Sequence, residues 1–528
     1  MGFSLSAIVD VNEQDLTTSV PAVATSIGAM AGAFSWGPVE EVTLLAREAD
    51  IVTRFYGPTD ANYKDWFTIA NFLSYSRNAK LVRVVGAGAL NAADSGTGVL
   101  IKNFADYEAQ LPTLQTAATD AFIAKYPGVE GNDIVVHVAD VNNFVGWTYE
   151  GQFDYAPTGT EFFVVVLKAG TIVETHIVDK TAGTKNFQGD TKYCEDYLAR
   201  ASKYVWCINS AALVTDNAGS PVVYTLSSGA DGAALVDADY RTGFDLFLDA
   251  ESIDVNLIMQ GGSPTATGAY IVQSIAEVRK DCVAFVSPDQ ADVVNPATTP
   301  EGELATLRDT GDYNFSSSYG VMDGNYKYQY DRYNDVYRWV PLNGDIAGLC
   351  ARTDNVADAW WSPGGFNRGQ IKNVVKLAFN PNKAQRDELY KRGINPVVAF
   401  SGEGTVLYGD KTMQTKPSAF DRINVRRLFI VLEKAIATAA KYTLFEFNDS
   451  FTRNRFVQMV EPFLREVQGR RGIYDFRVVC DETNNTGEVI DRNEFVGDIY
   501  IKPARSINYI YLNFVAVKTA VQFEEVIG

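Results

Sequence analysis

The end of the chain, from Ile507 to Gly528, carries Ile507, Tyr509, Ile510, Tyr511, Leu512, Phe514, Val515 and Val517, then Val521 and Phe523, with no Gly or Pro before the last residue. Such a run reads as one unbroken β-strand. At about 3.3 Å per residue it reaches roughly 55 Å between Ile507 and Phe523, against about 20 Å for a common strand. That is too long for its own sheet, so part of it is expected to leave the body that its first half helps to build. A projecting strand carries unpaired N–H and C=O rows that template pairing with another chain, and strand addition to a neighbouring sheet links subunits. Residues 1–20 show no helical period, hold the polar cluster Asn12-Glu13-Gln14-Asp15 and end at Pro21. They read as a second extended arm.

Between the arms, 528 residues at 46% hydrophobic content suffice for three or four domains with real cores. No stretch approaches eighteen uncharged apolar residues, and Asp10 and Glu13 precede the first basic residue, Arg47. Neither membrane insertion nor secretory export is therefore expected. Met1-Gly2-Phe3-Ser4-Leu5-Ser6 fits a loose myristoylation pattern without polybasic support. Asn448-Asp449-Ser450 and Asn484-Asn485-Thr486 match the glycosylation sequon but suit a helix cap and a polar turn better. Five scattered cysteines, Cys194, Cys207, Cys282, Cys350 and Cys480, have no C-x-x-C pairing and only His137 and His176 for company. No metal framework or cofactor is expected from them, and buried, reduced thiols made in a cytosol fit best. The net charge of −19 argues against direct nucleic-acid binding. It also makes like subunits repel at long range, so a homopolymer would depend on short-range patches.

The organisation is α/β (α+β) and multi-domain. After an N-terminal linking arm (1–21), residues 22–90 and 229–350 alternate strands with helices and read as one α/β middle domain. Examples are the helix over 48–55 that stops at Gly57-Pro58, the strand around Leu81-Val82-Arg83-Val84-Val85, and the strands at 255–259 and 283–286. Residues 91–228 switch to short β-runs and read as a β-rich outer domain inserted into it. Gly261-Gly262-Ser263-Pro264-Thr265-Ala266-Thr267-Gly268 precedes a helix, where a Gly-rich turn cradles phosphates in some proteins. It lacks the required Lys and the G-x-G-x-x-G spacing, so a plain crossover turn is expected. Residues 310–361 are rich in aromatics, among them Tyr313, Tyr319, Tyr326, Tyr328, Tyr330, Tyr333, Tyr337, Trp339, Trp360 and Trp361. They suggest an aromatic β-edge packed internally or against a subunit.

From residue 361 the signals are compact and ordered: Trp361-Ser362-Pro363-Gly364-Gly365, Gly393-Ile394-Asn395-Pro396, Leu407-Tyr408-Gly409-Asp410, Ile423-Asn424-Val425-Arg426-Arg427-Leu428-Phe429, Phe445-Glu446-Phe447-Asn448-Asp449, and Gly497-Asp498-Ile499-Tyr500-Ile501-Lys502-Pro503. This set resembles the C-terminal domain of tail sheath proteins of contractile-tailed bacteriophages. Phe34-Ser35-Trp36-Gly37-Pro38 and Phe55-Tyr56-Gly57 are similar to the same family. The likeness covers roughly 1–90 and 350–528 and implies a C-terminal sheath core domain at 351–509 followed by a linking arm at 510–528.

The resemblance implies a homo-oligomer of hexameric rings stacked into a helical polymer around a tail tube, bounded by baseplate and tail terminator proteins. Such a polymer contracts to drive the tube through the host envelope; it is assembled in the bacterial cytoplasm and belongs to the virion tail. Val9 and Val11 in the first arm and Tyr511, Phe514, Val515, Val517, Val521 and Phe523 in the second are the candidate linking residues. Two helices, 421–442 and 448–468, carry basic residues in an acidic protein, and Arg426, Arg427, Lys434, Lys441, Arg453 and Arg455 are the candidate tube contacts. Alternatives are the sheath of a phage-tail-like bacteriocin or injection particle, an α/β enzyme, or a β-rich adhesin. Two histidines in β-rich stretches support no His-based triad or metal site, so no catalytic residue is assigned.

Overall fold

The computed structural model describes residues 24–117, 120–508 and 511. The chain forms two compact units, one ending at Phe447 and one beginning at Asn448. In the first, a seven-stranded sheet runs in the order Ile394–Asn395, Gly320–Asp323, Val283–Val286, Leu257–Met259, Gly28–Ala33, Ala79–Val84 and Val42–Leu45. All neighbours are parallel except the last pair. Met30, Leu81, Leu257, Met259, Phe285 and Val321 join the core on one face; Ala29, Ala31, Val82, Ile258, Ala284 and Met322 join the core on the other. A parallel sheet covered on both faces has no wet side, which is why these strands read as unbroken apolar runs.

Helices Tyr63–Leu73 and Asn343–Val356 cover the first face. Asp237–Asp245 and the segment Thr265–Tyr270, which widens into a π-turn over Ile271–Ala276, cover the second. The strand Gly28–Ala33 is built of small residues because its neighbours press close. A Cβ added at Gly28 would stand 2.5 Å from the Phe72 ring. Phe72 and Trp66 are in turn fully buried, each contributing about 1.5–3 kcal/mol through area removed from water.

The sheet does not stop at residue 350, where a C-terminal domain was expected to begin. Ile394–Asn395 pairs with Gly320–Asp323, and the Asn395 amide donates to the carbonyls of Met322 at 3.1 Å and Lys411 at 2.8 Å. Residues 351–447 therefore belong to the first unit. The aromatic stretch also differs from an edge. Tyr326–Asp331 is the middle strand of three, between Val336–Pro341 and Lys376–Leu377. Its faces are inverted: Lys327, Gln329 and Asp331 are buried while Tyr330 is exposed. Partners explain this, since Lys327 pairs with Asp345 at 2.8 Å and Arg338 reaches Asp331 at 2.7 Å.

Leu90 bridges to Ala230 and Ala93 to Ser227, so the chain leaves the sheet and returns through one neck. Between them lies a four-stranded antiparallel sheet, Thr171–Asp179, Glu161–Lys168, Ile134–Asp140 and Val222–Thr225. Helices Phe104–Ala117 and Cys194–Ala201 and the pair Phe122–Ala124 with Val205–Cys207 complete it. Arg83 pins the neck. It is fully buried and donates to the carbonyls of Phe34 at 2.7 Å, Gly37 at 2.8 Å, Ser35 at 3.2 Å and Pro127 at 2.7 Å. Burial pushes its guanidinium down to about 10.

The second unit has a helix, Ser450–Gly469, capped by Asp449, whose carboxylate accepts from the Thr452 amide at 2.8 Å. A two-stranded antiparallel hairpin follows, Ile473–Val479 with Asp498–Pro503. Among the described residues no helix is long and apolar enough to cross a membrane.

Candidate functional site: a filled strand end, inward arginines and an open hairpin

In open α/β sheets, ligands sit outside the carboxyl ends of the strands. Here that position is occupied by the chain itself. After Gly28–Ala33 the Ala33 amide donates to Asp65 at 2.9 Å, and after Leu257–Met259 the Gly262 amide donates to the same carboxylate at 2.6 Å. Gln260 accepts from the Ser287 amide at 2.8 Å and from the Tyr313 hydroxyl at 2.9 Å. Asn343 accepts from the Gly261 amide at 3.1 Å, and its own amide donates to the Gly261 carbonyl at 3.0 Å. Ser287 donates to Asp323 at 2.6 Å. The Gly261–Gly268 turn thus offers its amides to side chains already in place, with Asp65 standing where a phosphate would. A Cβ at Gly262 would meet the Lys64 Cβ at 2.4 Å.

Burial pushes Asp65 up to about 6 against the pull of the two amides and the Tyr240 hydroxyl, and it pushes Asp323 up to about 7. In the fully buried Lys327–Asp345 pair, burial pushes the carboxyl up and the amine down. Burial is the largest cause of each of these shifts, so the perturbation reflects packing.

The histidines form no relay. His137 packs its ring edge-on to Tyr149 with centroids 5.0 Å apart, and burial pushes it down. His176 lies 3.0 Å from Glu174, which also accepts from the Ser202 hydroxyl at 2.7 Å and the Lys203 amide at 2.9 Å. The carboxylate stands between serine and imidazole, whereas a nucleophilic triad needs the imidazole in the middle. Among the described residues no group of three His, Cys, Asp or Glu side chains is placed to hold a metal ion.

The basic stripe expected on the first candidate helix faces inward. In Ile423–Ala440, Arg426 and Arg427 are both buried. The Arg426 guanidinium lies 4.0 Å from the Phe420 ring centroid and 4.3 Å from that of Tyr319, and burial pushes it down. Arg427 makes a two-pronged pair with Asp354 at 2.7 and 2.6 Å and donates to the Thr25 carbonyl at 3.1 Å. Burial pulls Arg427 down, but the Asp354 carboxylate outweighs it and leaves the guanidinium above its ordinary value. Lys434 pairs with Asp254. In the second helix Arg453 is buried and donates to Asn448 at 3.2 Å. As placed, Arg426, Arg427, Lys434 and Arg453 are engaged inside their own subunit, because a helical wheel shows where a charge sits but not which distant carboxylate or ring comes to meet it. Lys441 and Arg455 remain exposed. Beside Lys441, Tyr442, Leu444, Phe445 and Phe447 are exposed. Phe445 has a φ of 69°, a left-handed conformation rare for an aromatic residue.

The second unit offers the open sheet. Among the described residues each strand of its hairpin pairs only with the other, and Tyr474 and Tyr500 are exposed. Ile507 and Tyr511 beyond it are exposed. The remaining candidate arm residues, Val9, Val11, Phe514, Val515, Val517, Val521 and Phe523, lie outside the described residues.

Sequence reading missed Arg83, Asp65 and Asp354, although an arginine inside the apolar run Leu81-Val82-Arg83-Val84-Val85 is itself a signal of a buried, bonded charge.

Known proteins agree with the fold. Residues 238–413 match the phage tail sheath protein central domain and 415–516 the phage tail sheath C-terminal domain. The chain is 35% identical to the tail sheath protein of Vibrio phage KVP40 over 99% of its own length and 100% of the relative's. It is 34% identical to that of Enterobacteria phage T4 over 99% of both. Among solved structures, the sheath tail protein of Listeria innocua superposes with a TM-score of 0.57 at 14% identity, covering 92% of this chain and 96% of the other. The anti-feeding prophage helical sheath in its contracted state gives 0.52 at 13%, covering 97% and 99%. The chain belongs to the tail sheath proteins of contractile phages.

Proposed function

We propose that the protein polymerises as stacked hexameric rings around a tail tube and that the polymer contracts to drive the tube through the host envelope. The observation that carries this reading is the two-stranded hairpin of the second unit. Among the described residues its strands pair only with each other, and outer edges of that kind present main-chain donors and acceptors to any extended segment that arrives. The sequence supplies two such segments, 1–21 and 510–528, and strand addition from a neighbour completes the sheet. Solved structures with this fold include the baseplate and the contracted helical sheath of the anti-feeding prophage, which supports the polymer and a baseplate partner. A tail terminator as the other boundary and assembly in the host cytoplasm complete the proposal.

The work is mechanical. Contacts made only in the contracted lattice supply the energy, and the arms act as hinges whose strand pairing persists while their backbone turns. The filled strand end supports a non-catalytic role. For the tube contact, the exposed Lys441 and Arg455, with the aromatic projection at 442–447, replace the buried arginines as candidates.

Deleting 510–528 tests the arm directly. The truncated subunit is expected to stay folded and soluble by circular dichroism and to form no tubes under the electron microscope. Normal polymer from it would overturn the reading. Charge reversal at Lys441 and Arg455 is expected to leave sheath self-assembly intact and abolish decoration of purified tubes.

A further inference from the structure

Two of the five cysteines stand together. Cys194 is the first residue of the helix Cys194–Ala201, and Cys207 is the last residue of the strand Val205–Cys207. The helix rises about 1.5 Å per residue and the strand about 3.3 Å, so eight helical residues and the few extended ones after them cover similar distances of roughly 10–12 Å. The connection at 202–204 reverses the chain and lays the strand back along the helix. Just beyond the strand, the Ser210 amide donates to Glu195 at 2.7 Å, and the Tyr193 and Ser210 hydroxyls lie 3.0 Å apart, which ties the chain after Cys207 to the residues on either side of Cys194. Both thiols are fully buried in one apolar cluster with Phe122, Leu198 and Val205. The Cys194 thiol first, and burial after it, push the Cys207 thiol well up. Cys282 and Cys350 lie in the two cores of the main sheet, and Cys480 lies in the second unit.

We propose that Cys194 and Cys207 are a latent disulfide, closed when the protein meets a low-molecular-weight disulfide such as oxidised glutathione. The thiolate of one cysteine attacks a sulfur of the oxidant, expelling one glutathione thiolate and leaving a mixed disulfide. The second cysteine, deprotonated, attacks the protein sulfur of that bond and expels the other. One protein disulfide forms, two glutathione thiols are released, and the two protons of the cysteines end on them. A protein made with reduced thiols and later exposed to an oxidising medium would thereby gain a covalent tie across its insertion. Because the thiolate is the attacking species and the Cys207 thiol is pushed up, closure through Cys207 is slow near neutrality and accelerates as pH rises.

The test incubates the folded, full-length reduced chain with oxidised glutathione at several pH values, followed by intact mass and peptide mapping without reduction. The expected result is loss of two hydrogens, one linked peptide pair joining Cys194 to Cys207, and free Cys282 and Cys350. The thermal transition of the insertion is expected to rise by about 5 °C, since closing a short loop restricts the unfolded chain. Cys194→Ala and Cys207→Ala should each abolish both the linkage and the shift. The same chain oxidised in denaturant shows that these peptides are detectable when linked. Linkage in denaturant with none in the folded protein would overturn the proposal, as would a different pairing or a lowered transition.

Discussion

Replacing Arg427 with Ala separates a structural from an external role for the basic helix. The guanidinium makes two hydrogen bonds of 2.7 and 2.6 Å to Asp354, and both side chains are almost entirely buried. Its removal leaves the carboxylate buried without its cation, a loss of about 3–5 kcal/mol. The Thr25 carbonyl loses a donor as well, adding about 1 kcal/mol. Native subunits typically have only about 5–15 kcal/mol of stability, so the variant should unfold at a distinctly lower urea concentration, read by tryptophan fluorescence. Replacing the pair together, Arg427→Met with Asp354→Leu, removes the orphaned charge and is expected to recover most of the loss, leaving a coupling of at least about 2 kcal/mol in the double-mutant cycle. A tube-facing Arg427 predicts something else: unchanged urea midpoints in every variant and lost tube decoration alone. That result would refute the inward placement.

Two further outcomes follow from buried charges. Asp65 and Asp323 are held up at about 6 and about 7, above the ordinary 3.8, so the folded chain keeps them protonated while the unfolded chain ionises. The stability they add is full below pH 4 and is lost as pH rises through 6–7, on the order of 3 kcal/mol for each; urea midpoints across pH 4.5–8 should show this fall, and Asp65→Asn should flatten part of it. Arg83→Met leaves the carbonyls of Phe34, Ser35, Gly37 and Pro127 without their donor, costing about 2–4 kcal/mol, and faster hydrogen exchange around Pro127 should report a loosened neck.

What the sequence made legible was set by local chemistry. The helix Glu48–Phe55 and the strands Leu257–Met259 and Val283–Val286 were readable because apolar runs and Gly-Pro stops act over a few residues. Placement of charge was not. Asp354 lies 73 residues from Arg427 and Thr25 lies 402 away, so no window along the chain reveals that the arginine turns inward. The strand Tyr326–Asp331 alternates as a strand should, yet its charged side is the buried one. Only the arrival of Asp345 and Arg338 decides that.

The filled strand end carries the same lesson into function. Carboxyls raised to about 6 and 7 at the carboxyl edge of a parallel sheet are what a search for an enzyme would select. Each is explained by burial, and each already has donors: two amides and a tyrosine for Asp65, Ser287 and the Asn325 amide for Asp323. Catalysis needs a perturbed group that also faces space for a substrate. Here the space is taken by Gln260, which accepts from the Tyr313 hydroxyl, and by Asn343, whose bonds with the Gly261 amide and carbonyl tie the helix Asn343–Val356 to the strand end. The same kinds of polar group that elsewhere would bind a ligand here tie the strand ends to the segments packed on them.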